Sequence, residues 1–195
     1  GSEQDCAEGD PCGRIGAGDQ GMMAGCAGGG TATLMPMPVY RALRLAERLT
    51  EVRKGGAMPH LRPDGKAQVS VRYEDGRPVN VEKVVVSTQH SEAIAHDELR
   101  AQIIANVVEP VFAHEGVELA ADAEIHVNPT GRFVIGGPMG DAGLTGRTII
   151  VDTYGGMGRP GGRTFSGQGR HQARRQAAHA APRTGQRRSA DGPAR

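Results

Sequence analysis

A chain of 195 residues with 37% hydrophobic content, 3% aromatic content and no Trp has room for one full domain and part of another, built on a core of Val, Ile, Leu, Ala and Met. A net charge of +1 excludes no partner globally, so the distribution of charge matters more than its sum. No apolar run reaches the roughly 18 to 20 residues of a membrane-spanning helix and no signal-peptide core is present, so a cytoplasmic protein is expected.

The first 33 residues are rich in Gly, Ala, Asp and Cys and predict loop. Cys6, Cys12 and Cys26 fit no zinc spacing and leave one thiol over in any pairing, which suits a reducing compartment. Residues 16–21, GAGDQG, match the G-x-G-x-x-G pattern, but no hydrophobic strand precedes them and no helix follows, so a dinucleotide site is not expected.

From Pro38 the pattern turns helical. Val39, Leu43, Ala46, Leu49 and Val52 recur at three- and four-residue steps, Pro38 suits the first turn, and Gly55-Gly56 marks the end. Arg44, Glu47, Arg48, Glu51 and Arg53 then form a solvated face. Leu61–Lys66, LRPDGK, reads as a turn leading into an alternating strand, Val69–Tyr73, and Asp75-Gly76 turns the chain into a second strand, Val79–Ser87. The run Val84-Val85-Val86 is apolar on both faces and predicts a central strand. A second helix is expected over Asp97–Phe112, with Asp97 as N-cap and Pro110 perturbing its last turn. His90, His96, His114 and His126 show no i, i+4 pair, which argues against a metal site made of them. Glu124–Val127 predicts a short strand.

Residues Asn128–Gly156 are the centre of the chain. Phe133–Ile135 and Thr148–Val151 read as two short buried strands, and between them Gly136, Gly137, Gly140, Gly143 and Gly146 surround Asp141 and precede Arg147. Backbone without Cβ atoms can approach a ligand closely, and a plain turn does not need five glycines, so a polar or anionic ligand is expected here. After Ser166 the composition breaks. Residues 167–195 hold no large apolar side chain and seven Arg against the single acid Asp191, which predicts disorder.

The segments GAGDQG at 16–21, LRPDGKAQV at 61–69, VVSTQH at 85–90 and NPTGRFVIGGPMGDAGLTGRTIIVDTYGGMGRPGGRTFSG at 128–167 together resemble the methionine adenosyltransferase, or S-adenosylmethionine synthetase, family. The resemblance implies an α+β fold with a mixed or antiparallel sheet and helices on one face. It divides the chain into a loop-rich segment 1–34, a central domain 35–136, the start of a following domain 137–167 and the Arg-rich tail 168–195. It implies a reaction in which the methionine thioether attacks the ribose C5′ of ATP and expels triphosphate, with Mg²⁺ and K⁺ as cofactors, in a homodimer or homotetramer whose active site lies between two subunits.

Carried over position by position, the resemblance places Asp64, Gly65 and Lys66 at ATP, Arg132 and Phe133 at the nucleotide, and Asp141 at both substrates, paired with the methionine ammonium. Arg147 joins Lys66 at the phosphates, Thr148 lies beside it, and Asp19 falls in a substrate loop. Catalysis is thereby assigned to Lys66, Arg147 and Asp141. A thioether is a neutral nucleophile and needs no general base, so the demand on the protein is for cations around a polyanionic leaving group, and for orientation.

Several family features are absent. A His and Asp that serve phosphate and Mg²⁺, and a Glu that serves K⁺, have no counterpart in the chain. Thr148, Gln168 and Gln172 stand where the family has lysines. Each lost charge-assisted phosphate contact costs about 1.5 to 3 kcal/mol, so a fragment with little or no activity alone is expected. Residues 168–195 read as an out-of-frame tail, which the two other frames of the coding DNA check directly. Two other functions fit parts of the sequence: a non-catalytic, nucleotide-binding regulatory partner of a complete enzyme, and a nucleic-acid-binding protein acting through the Arg-rich tail.

Overall fold

The computed structural model describes residues 26–113, 117–143, 150–151 and 153–158. The chain divides into two compact units, one of residues 37–143 and one of residues 1–36 with 144–195. In the second unit the Thr31 hydroxyl donates to the Met35 carbonyl at 2.8 Å, and Gly158 lies so close to Cys26 that an added Cβ would sit 2.9 Å from the cysteine Cβ.

The unit 37–143 begins with helix α1, Met37–Lys54. Pro38 costs nothing in a first turn, whose N–H groups have no intrahelical acceptor, and Arg53 and Lys54 complement the carbonyl end. The buried face is Met37, Val39, Tyr40, Arg41, Leu45, Leu49 and Val52. This corrects the expected stripe: Leu45 is fully buried while Leu43 is 47% exposed and Ala46 is exposed. The solvated face is as expected, with Arg44–Glu47 and Arg48–Glu51 pairs at 2.6 and 3.1 Å.

Strands β1, Leu61–Glu74, and β2, Arg77–His90, form an antiparallel hairpin. Its turn holds Asp75 and Gly76 at φ 48° and 76°, the left-handed pair that a two-residue hairpin connection requires. The expected turn at Leu61–Lys66 is instead the start of β1, with a register shift between Leu61 and Gly65. β1 is an edge strand, where Pro63 removes no ladder bond on its open side. β2 is central, as its valine run predicts, with Val84 and Val86 fully buried.

The second helical stretch is broken into α2, His96–Ile103, a π turn, Ile104–Val108, and α3, Glu109–Ala113. Pro110 explains the widening. It has no N–H to offer the Asn106 carbonyl four residues back and its ring crowds that carbonyl. The Asn106 oxygen accepts instead from Arg48 Nε of α1 at 3.0 Å. Asp97 is not the N-cap, since that position is Ala95 and carries no side-chain cap bond; Asp97 still complements the helix N-terminus from its first turn.

This helical stretch crosses over to β3, Leu119–Val127, which runs parallel to β2. A parallel neighbour needs such a crossover. The result is a three-stranded mixed sheet of order β1-β2-β3, an α+β fold. Val69, Val84, Val86 and Val127 face the helices and join Leu45, Leu49, Leu99, Ile103 and Val107 in one core. The opposite face carries Lys66, Gln68, Lys83, Glu124 and His126, with Lys83–Glu124 bridged across β2 and β3 at 2.8 Å.

Candidate functional site

The site is built where the end of β2 meets the chain leaving β3. β3 stops at Asn128, which has φ 43° and is 1% exposed. Its N–H still donates to the Val86 carbonyl at 2.9 Å, but its backbone then turns away. The Asn128 side chain continues the ladder: Oδ1 accepts the Thr88 N–H at 2.8 Å and Nδ2 donates to the Thr88 carbonyl at 3.0 Å. An amide side chain has the same donor and acceptor as a peptide, so β2 stays fully bonded beyond the last residue of its neighbour.

The departing loop is fastened by its main chain. His90 N–H donates to the Phe133 carbonyl at 2.9 Å, and the Phe133 N–H donates to His90 Nε2 at 3.2 Å. Gln89 Nε2 donates to the Val134 carbonyl at 2.9 Å, and the Gly137 N–H donates to Asp64 Oδ2 of β1 at 2.8 Å. Gly136 lies at the point of convergence, where a Cβ would come within 2.9 Å of Gln89 Cδ, 3.0 Å of Asp64 Oδ2 and 3.0 Å of the Phe133 ring. No side chain other than hydrogen fits there without displacing one of the three.

Two expectations are overturned. Phe133–Ile135 is not a buried strand; Phe133 and Val134 are half-buried and Ile135 is 71% exposed. Its Phe133 N–H and Val134 carbonyl are bonded by the side chains of His90 and Gln89, and its Phe133 carbonyl by the His90 backbone, rather than by a ladder. Ile150 and Val151 are turn residues, 48% and 59% exposed, and not part of a buried strand.

The described site residues group as follows. Asp64, Gly65 and Lys66 sit together on β1, and Asp64 reaches the glycine loop. Lys66 pairs in register with Ser87, so it shares the open sheet face with Gln89, two residues farther along β2. Phe133 lies against Gly136. Arg132 is drawn to Glu92 at 2.6 Å, with both side chains exposed. Asp141 follows a short 3-10 turn, Gly137–Met139, its N–H donating to the Gly137 carbonyl at 3.0 Å and its side chain in solvent. Asp19, Arg147, Thr148 and the segment 168–195 lie outside the described residues.

Sequence reasoning missed Gln89, His90 and Asn128 as parts of the site. One signal was available: Thr88 and His90 share the parity of Val84 and Val86, so polar side chains were bound to fall on the buried face of β2, where they need partners. His60, before β1, is half-buried with its Nε2 shielded from solvent. Its Nε2 has no hydrogen-bond partner among the described residues, and burial holds its imidazole below the ordinary 6.5, with Glu98 pulling the other way and His90 adding to the lowering.

Because the folded-state value is below the unfolded one, the unfolded chain takes up the proton first, and stability present above about pH 6.5 is lost as pH falls through that value. Urea midpoints measured from about pH 7.5 to about pH 5.5 are expected to fall, and His60→Asn to flatten part of that slope.

An open, polar sheet face whose end is closed by a glycine-rich loop, with a carboxylate, a lysine and an aromatic ring beside it, is the candidate site of this α+β unit. The central domain of S-adenosylmethionine synthetase matches residues 14–133 and its C-terminal domain matches residues 135–187. The chain belongs to the S-adenosylmethionine synthetase family. It is 56% identical over 169 residues to an S-adenosylmethionine synthase of Desulforudis audaxviator, which covers 86% of this chain and 42% of that relative. It is 53% identical to those of Clostridium acetobutylicum over 167 residues and of a Sulfurovum species over 169, covering 42% and 44% of them. The chain thus spans less than half the length of the curated relatives it matches.

Proposed function

We propose that this chain contributes part of the substrate-binding surface of a methionine adenosyltransferase. The sulfur lone pair of methionine attacks ribose C5′ of ATP, a sulfonium C–S bond forms, and the C5′–O bond breaks with its electrons leaving on triphosphate, which water then cleaves to pyrophosphate and phosphate. Lys66 and Arg147 meet the phosphates, with Thr148 beside them. Asp64, Gly65, Arg132 and Phe133 lie at ATP, Asp141 touches both substrates and meets the methionine ammonium, and Asp19 belongs to a substrate loop.

The observation that supports this best is the bond from the Gly137 N–H to Asp64. It ties the Asp-Gly-Lys segment of β1 to the glycine loop that carries Phe133 and Asp141, so residues assigned to one nucleotide lie on one tied surface. Preorganisation of this kind lowers the ordering cost of binding.

Mg²⁺ and K⁺ are the ions this family reading brings with it. Among the described residues no three His, Cys, Asp or Glu side chains converge, so these residues do not by themselves fit a divalent-cation site and no step is routed through one. The active site in this reading is completed by a second subunit of a homodimer or homotetramer. Among the described residues no helix is long and apolar enough to cross a membrane, and a cytoplasmic setting belongs to the same proposal.

Lys66→Ala is the direct test. Losing one charge-assisted phosphate contact, at about 1.5 to 3 kcal/mol, is expected to weaken ATP binding by roughly 10- to 150-fold. Lys66 is exposed, so the fold is expected to be unaffected. Calorimetric titration of the full chain with ATP reads this, and equal affinity in wild type and variant contradicts the assignment.

A further inference from the structure

His90 closes β2 and is 4% exposed. Its ring is committed at both nitrogens. Nδ1 lies 2.8 Å from the Ser91 carbonyl oxygen, which can only accept, so Nδ1 carries the hydrogen. That leaves a lone pair on Nε2, and the Phe133 N–H points at it from 3.2 Å. The backbone of the same residue donates to the Phe133 carbonyl at 2.9 Å. Phe133 is thus held at its N–H by the ring of His90 and at its C=O by the backbone of His90. Only one form of the imidazole satisfies both ring contacts: neutral, with the hydrogen on Nδ1.

We propose that His90 is a positioning residue, whose neutral Nε2 sets the backbone of Phe133 and so the direction in which that aromatic side chain and the following Gly136–Gly137 backbone face. The consequence for binding rests on the reading of Phe133 as a nucleotide-facing residue; the positioning itself does not. An imidazolium at this position turns an N–H toward the Phe133 N–H, replacing an attraction with a repulsion. The ionisable groups around it are His60 before β1, an electrostatic neighbour of His90, and Glu98 of α2, which acts on His60. From the other sides come His96, whose Nε2 is 3.3 Å from the Asn128 carbonyl oxygen, the exposed Arg132–Glu92 pair, and Asp64, bound to the Gly137 N–H.

The account separates the acceptor from the bulk of the ring. Gln at position 90 can bring a carbonyl oxygen to the reach of Nε2, whereas Ala cannot. Residue-resolved amide hydrogen exchange on the full chain reads the result. In His90→Ala the Phe133 amide is expected to exchange roughly tenfold faster or more, as the loss of one hydrogen bond dictates, while the Val84 and Val86 amides of central β2 keep their wild-type rates. In His90→Gln the Phe133 amide is expected to return to within about threefold of wild type.

A Phe133 amide unchanged in His90→Ala overturns the proposal. So does a His90→Gln variant as deprotected as His90→Ala with the core amides intact. ATP affinity measured on the same samples is expected to fall in His90→Ala and recover in His90→Gln. Absence of ATP binding by the wild type counts against the nucleotide reading, whereas the exchange rates decide the role of His90.

Discussion

Asn128→Ala is expected to destabilise the unit 37–143 by roughly 2 to 5 kcal/mol, because it leaves both the N–H and the C=O of buried Thr88 without partners, each at about 1 to 3 kcal/mol. Thr88 is 2% exposed and Asn128 1%, so water cannot replace the amide without opening the core. The urea midpoint is expected to shift down at constant m. Asn128 also sits at φ 43°, a conformation that asparagine tolerates and alanine resists. Asn128→Gly separates the two causes, since glycine accepts the backbone geometry but restores neither bond to Thr88. A glycine variant as stable as wild type would show that conformation alone selects asparagine here; retention of most of the loss in glycine assigns it to the amide.

Arg41→Met is the second large effect, at roughly 2 to 4 kcal/mol. Arg41 is 1% exposed, and its guanidinium donates to the Val111 carbonyl at 2.7 Å and the Val117 carbonyl at 3.3 Å while stacking 5.1 Å from the Phe112 ring centroid. Val111 lies in the last turn of α3, whose carbonyls have no intrahelical donor. A cation there is favoured by the helix dipole as well. Methionine keeps the apolar stem and loses the fork, so the stability change reports the carbonyl contacts rather than a cavity. Arg41→Lys is expected to fall between the two, because one ammonium cannot serve two separated carbonyls with the same geometry. Wild-type stability in Arg41→Met would contradict this role.

The elements that local signals specify were legible. Pro38 and Gly55-Gly56 bracket α1, Asp75-Gly76 sets the hairpin, and the valine run marks β2 as central. The family resemblance expects Asp64 and Phe133 in one site; both side chains border Gly136, where an added Cβ would lie 3.0 Å from each. What local pattern could not supply were decisions made by distant partners. Phe133–Ile135 has the composition of a strand, yet its backbone is bonded by the side chain of Gln89 and by the ring and backbone of His90, more than forty residues away in sequence. Pro63, Asp64 and Gly65 have the composition of a turn, yet an edge strand with a register shift accommodates all three. Arg41 looks like its neighbours Arg44 and Arg48, and the distant Val111 and Val117 carbonyls distinguish it. Leu43 fits the helical stripe as well as Leu45 does, yet Leu45 is the one that joins the core.

The central claim is that the Asp64–Lys66 segment of β1 and the loop Arg132–Asp141 form one nucleotide-binding surface. Amide chemical shifts of the full chain, recorded on titration with ATP, test it most directly. The account predicts that Gly65, Lys66, Phe133, Gly136 and Gly137 shift together along one saturation curve, and that the same set stays still in Lys66→Ala over the same concentrations. Saturable shifts confined to the Arg41–Glu51 side of α1, or an identical response in wild type and Lys66→Ala, would contradict it.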